Sequence, residues 1–137
     1  MTSTAEPAQG GVQVREAGAQ THEYLTASDN YLIPIMMGKA APATTGISGA
    51  DMKTVEAYEK RKVPKAQIVA ELDASFKHLH EAMGLTTDSN LTQNIKFFGQ
   101  DWSRQRAMVL TVTHLHEHLG QLVAYARSNN VAPPWSR

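Results

Sequence analysis

The stretch VLTVTHLHEHLGQLVAYARS, running from Val109 to Ser128, decides the fold. No proline interrupts it, and with Met108 just ahead its apolar residues recur at helical steps. Met108, Val112, Leu115, Leu119, Leu122 and Ala126 form one stripe, the pattern of an amphipathic helix laid on a core. Ser103 offers an oxygen to the free amides of a first turn, and Asn129, Asn130 and Pro133-Pro134 stop the run, so the spacing predicts a helix from about Ser103 to about Ser128. Leu110, His114, His118 and Leu122 form an adjoining row at four-residue steps, which sets two imidazoles at the edge of the buried face. Side chains so spaced have Cβ atoms about 6 Å apart and can share one ion at about 2.0–2.1 Å. Two ligands do not complete a metal site, so another element must supply a third. The competing use of such a pair is a satisfied hydrogen-bonding role at the core edge.

Outward from this helix, Pro64 suits a first helical turn, where its missing N–H would be unpaired anyway, and Gly84 is a natural stop; the segment between them is the second strong helix. Val69, Leu72, Phe76, Leu79 and Met83 share a stripe expected to be core, which leaves His78 facing outward and His80 at the surface. A further helix is expected from about Ala17 to Met37 on the spacing of Tyr24, Ala27, Tyr31, Leu32, Ile35 and Met36. Pro34 should kink or shorten it. Lys39 to Val63 then reads as a long connection in which Lys53 to Lys60 forms a short solvated helix, and Leu85 to Trp102 as an extended or irregular crossing whose aromatics plug one end of the core.

A chain of 137 residues, 42% hydrophobic, holds one core. We expect a flexible tail over residues 1–16 and a single helical domain over 17–137. Thirteen basic residues balance thirteen acidic ones, which argues against nucleic acid and anionic membrane surfaces as partners. With no cysteine, histidine and carboxylate are the remaining ligand types. No stretch is apolar enough to span a bilayer and the first residues lack a signal-peptide pattern, so cytoplasmic is the default location.

Two protease signatures need exclusion. His114-Leu115-His116-Glu117-His118 spells the inverted zinc-protease motif, but no acidic residue follows His118 to supply the downstream ligand. The ordinary H-E-x-x-H motif fails because Gly120 stands where a histidine would be needed. His116, about two hundred degrees around the helix from His114, should face solvent.

Ile95-Lys96-Phe97-Phe98-Gly99-Gln100, the helix from Val112 to Arg127 and the ending Asn130-Val131-Ala132-Pro133-Pro134-Trp135 together resemble the closing part of DinB-like proteins, and the likeness extends from Asn30 onward. The histidine pair followed by Gly120-Gln121, and the Pro-Pro end, are its most specific parts. The resemblance implies an all-α fold, an up-down-down-up four-helix bundle, with a divalent metal, zinc or nickel, held by one histidine of the second family helix and two of the last. His114 and His118 match the last-helix pair. Counting from Ala27-Ser28-Asp29-Asn30-Tyr31-Leu32, the first histidine falls at Leu25, which cannot ligate; His22, one turn earlier, is the substitute ligand considered. The first family helix is shortened or missing, so a second copy of the chain or an unexpected N-terminal helix is needed to cover apolar surface.

The resemblance thus points to a metal-dependent enzyme acting on a small molecule, by thiol-dependent transfer or hydrolysis, and to a homodimer. Glu117, Asn30 and Tyr31 are further residues to test. The alternative is a non-catalytic dimeric bundle that has lost its metal site. Haem binding has only isolated histidines behind it.

Overall fold

A computed structural model describes the backbone of residues 8–136 and the side chains from His22 onward. Four helices lie along the chain: α1 (Ala8–Met36), α2 (Met52–Glu59), α3 (Lys65–Met83) and α4 (Arg104–Ser128). Between α3 and α4, where an extended or irregular crossing was expected, the chain is extended and pairs with itself as a two-stranded antiparallel hairpin, β1 (Asn94–Phe97) and β2 (Gln100–Ser103). None of the described helices is long and apolar enough to cross a membrane.

Helix α1 starts at Ala8 rather than near Ala17, so it overlaps the tail expected over residues 1–16; residues 1–7 lie outside those described. Pro34 falls in its last turn. The Lys39 amide donates to the Pro34 carbonyl at 2.8 Å and the Gly38 amide to that of Ile35 at 3.1 Å, with Gly38 at φ 96°; this left-handed cap closes the helix.

Helix α1 is the hub. It packs along α3, and less extensively along α4 and α2. Tyr24, Ala27, Tyr31 and Leu32 from α1 form one cluster with Ile47, Val55, Tyr58 and Ile68. Val55 and Tyr58 belong to α2, so that helix is not the solvated one expected but buries an apolar side against α1. The Tyr58 hydroxyl donates to the Glu71 carboxylate at 3.0 Å, and Arg61 pairs with the same carboxylate while its guanidinium covers the Tyr58 ring at 4.3 Å. Burial and the Glu71 charge push the Tyr58 phenol well above its ordinary range, so it donates in its neutral form at any physiological pH. A second polar tie crosses the core: Asn30 donates to Ser75 Oγ at 3.0 Å, and Ser75 donates to the Leu72 carbonyl at 2.7 Å.

The hairpin seals one end of the molecule. Phe97, 1% exposed, clusters with Ile33, Met37 and Ala107 and stacks on Trp102 at 5.0 Å. The register pairs Phe97 with Gln100, leaving Phe98 and Gly99 as a two-residue loop with φ of 48° and 79°. Two positive φ values in succession match the turn whose twist suits a hairpin, and glycine suits the second position. A methyl group at Gly99 would meet nothing within 4 Å, so Gly99→Ala isolates the backbone cost. It is expected to lower stability by about 1 kcal/mol, read as an earlier urea midpoint with unchanged slope.

The expected limits of α3 and α4 agree with those observed, with Pro64 and Ser103 as their N-caps; the Ser103 hydroxyl accepts from the Arg106 amide at 3.2 Å. Their inward faces do not agree. The side of α3 that meets the interior carries Ile68, Ser75, His78, Leu79 and Ala82, while Val69 and Phe76 are exposed. His78, expected outside, is 8% exposed and lies against the Tyr31 ring at 5.2 Å. On α4 the buried residues are Arg104, Ala107, Thr111 and His118, and Val112 and Leu119 of the expected core stripe face outward. The helices pack with a rotation that puts small and polar residues against α1, where backbones approach closely, and turns the bulky aliphatics aside.

Burial, and secondarily Lys39, lowers the His78 pKa from 6.5, so the folded chain holds the ring neutral to a lower pH than the unfolded chain does. The unfolded chain binds the extra proton, which means stability falls as pH drops through 6.5 and is retained above it. A His78→Gln variant should show a flatter dependence of the urea midpoint on pH across that window.

Candidate metal centre

Two helices carry the site. Asp29 sits two turns before the end of α1, one turn beyond Leu25, and His114 and His118 sit one turn apart on α4. Where α4 crosses α1, both imidazoles point at the same carboxylate oxygen. His114 Nε2 is 2.6 Å and His118 Nε2 2.8 Å from Asp29 Oδ2, and the two nitrogens are 3.1 Å apart. The His118 side chain is nearly enclosed, whereas those of Asp29 and His114 are 24% and 38% exposed; the cluster is therefore open to solvent on the His114 side.

Convergence of three ligand atoms is the test of whether these residues fit an ion. Around a four-coordinate ion at about 2.0–2.1 Å, neighbouring ligand atoms lie about 3.3 Å apart. The three atoms already lie close to that spacing and would need only small outward shifts. Two neutral imidazoles and a carboxylate form a donor set suited to divalent zinc, nickel or iron. The buried Nδ1 of His118 has no hydrogen-bond partner among the described residues, which leaves Nε2 as the nitrogen committed to the cluster. The residues fit a divalent cation.

Of the residues singled out in the sequence, the structure brings His114 and His118 together and leaves His22 outside the convergent group. The His22 ring centre is 6.3 Å from that of His118 and 5.1 Å from that of Tyr125, and its Nδ1 is buried with no partner among the described residues. Burial first, then the neighbouring His118, lower its pKa from the ordinary value. Glu117 and His116 are exposed. Asn30 and Tyr31 are buried against α3, where they serve packing rather than the centre. Asp29 is the residue the sequence reading missed. Its signal was its position seven residues after His22, two turns along the same face of α1.

A family model described as the DinB superfamily matches residues 15–122, a span that contains Asp29, His114 and His118. The chain belongs to the DinB superfamily. The match starts within α1 and ends in α4 beyond the histidine pair, so this DinB-superfamily chain carries both histidines inside the matched region. No curated protein and no solved structure matches it.

Proposed function

We propose that this DinB-superfamily chain is a metal-dependent enzyme in which Asp29, His114 and His118 hold one divalent ion, zinc or nickel, at the crossing of α1 and α4. The observation that carries this reading is the meeting of two imidazole nitrogens and one carboxylate oxygen within 3.1 Å of one another. The carboxylate supplies the ligand that Leu25 cannot, from one turn further along the same helix. His22 is the nearest further imidazole and is proposed as the residue that closes the ligand set if its ring turns toward His118.

When bound, the ion supplies Lewis acidity. The protein's own part is positional. Asp29 balances one positive charge and fixes the spacing between helices. His118, held on the buried side, anchors the cluster, and His114, on the open side, leaves an approach for a small substrate. Thiol-dependent transfer and hydrolysis are the two reaction classes proposed, carried out in the cytoplasm by an up-down-down-up bundle. The alternative, a dimeric bundle without chemistry, draws support from the apolar residues exposed on α3 and α4. In both readings we propose a homodimer, since a second copy would cover that surface.

Elemental analysis of untagged protein tests the metal assignment. About one zinc, nickel or iron per chain, retained in His22→Ala, is the result expected for the three-residue centre, and loss in His22→Ala alone would make that residue a ligand. Metal-free protein that takes up none of these ions on incubation would overturn the enzyme reading in favour of the bundle.

A further inference from the structure

Helices α3 and α4 both lean on α1 but stand apart from one another, leaving a groove of about 700 Å³ between them. Phe76, Leu79 and Met83 form one wall, and Thr111, Val112 and Leu115 the other. The apolar residues turned away from α1 collect on this side. Phe76 is 43% exposed and Val112 56% exposed, and Leu119, also 43% exposed, lies one turn beyond Leu115. Each helix therefore has a second apolar surface that the described residues of the chain do not cover.

We propose that this face is where two copies of the chain meet about a two-fold axis, with α3 of each running along the groove of the other. The inference rests on the homodimer reading above and names its surface. A two-fold interface uses one patch twice, so the patch must complement itself. Asp73 and Lys77 line the groove one turn apart on α3, and neither belongs to an ion pair among the described residues. An axis passing between them sets Asp73 against Lys77 of the partner subunit, and the reverse, around a centre occupied by Phe76. With 19 residues, α3 is about 28 Å long, and a face of that length and two helix diameters of about 10 Å wide spans about 560 Å², the scale of a weak dimer beside the roughly 800 Å² per partner of a standard interface.

Sedimentation equilibrium of the untagged full chain tests this, beside Val112→Lys/Leu119→Lys and the charge variants Lys77→Glu and Asp73→Lys/Lys77→Glu. The wild type should be a dimer at tens of micromolar. The double lysine variant should associate on the order of 100-fold more weakly while keeping its helical circular dichroism, because both positions are exposed in the single chain. Lys77→Glu should weaken the dimer and the double charge exchange should restore it. A wild type that is monomeric throughout overturns the homodimer reading and this face together. A dimer that persists in Val112→Lys/Leu119→Lys overturns the face alone, and failure of the exchange to restore association overturns the two-fold arrangement.

Discussion

Asp29→Ala is expected to reduce affinity for the divalent ion by on the order of 100-fold or more, with the fold retained. Loss of a group that merely orients a ligand already costs about 10–100-fold, and Asp29 is placed as a direct ligand whose oxygen is within 2.8 Å of both imidazole nitrogens. The two histidines left behind have only His22 as a further donor nearby, its ring centre 6.3 Å from that of His118 and outside the convergent group, and two imidazoles alone hold an exchangeable ion. Competition with a chromophoric chelator, followed by elemental analysis, measures the loss. The His114→Ala, His118→Ala double variant should bind no ion at all. Asp29→His is the informative contrast: it restores a nitrogen donor and should recover part of the affinity lost in Asp29→Ala. Equal affinity in the wild type and Asp29→Ala would remove the carboxylate from the ligand set and with it the reason for reading α1 as half of the centre.

Phe97→Ala should be strongly destabilising, costing about 3–5 kcal/mol. The ring is buried among Ile33, Met37 and Ala107, with Trp102 stacked at 5.0 Å and the Arg106 guanidinium over the outer face of that indole at 3.9 Å. Truncation removes the ring's burial and leaves a void that a short, two-residue-turn hairpin cannot collapse to fill. Urea unfolding followed by circular dichroism would show it as a large fall in midpoint. A loss below about 1 kcal/mol would mean that the hairpin rests on the helices without sealing them. Because the hairpin leads directly into the first residue of α4, the same variant should also loosen the site at His114 and His118, and its metal affinity should fall further than stability alone accounts for.

These residues also show where sequence was enough and where it was not. The start of α3 at Pro64 and of α4 at Ser103, the end of α4 before Asn129, and the pairing of His114 with His118 are local properties: proline and serine chemistry and the helical repeat settle them without knowledge of any neighbour. Which side of each helix turns inward is not local. His78 reads as a surface residue by type, yet α3 presents Ser75, His78 and Ala82 to α1 because small residues allow close approach, and Phe76 and Val69 are rotated off the contact. The hairpin was hidden because its turn, Phe98-Gly99, has glycine in the expected place but an aromatic in a conformation that phenylalanine rarely adopts. Asp29 was hidden for a different reason. It lies 85 residues from His114, and an aspartate in a helix is read as solvated until the facing helix is placed.

That separation has a mechanical meaning. The centre ties the C-terminal third of α1 to the middle of α4 across 85 residues of chain, while the direct packing of α4 on α1 is sparser than that of α3. A bound cation would act as a clasp on a looser seam than that between α1 and α3, closing a long loop much as a covalent staple does. Chelation should therefore release amide protection along α4 first and leave α3 and its ties through Asn30 and Ser75 guarded, so that the last helix swings on the hairpin as on a hinge.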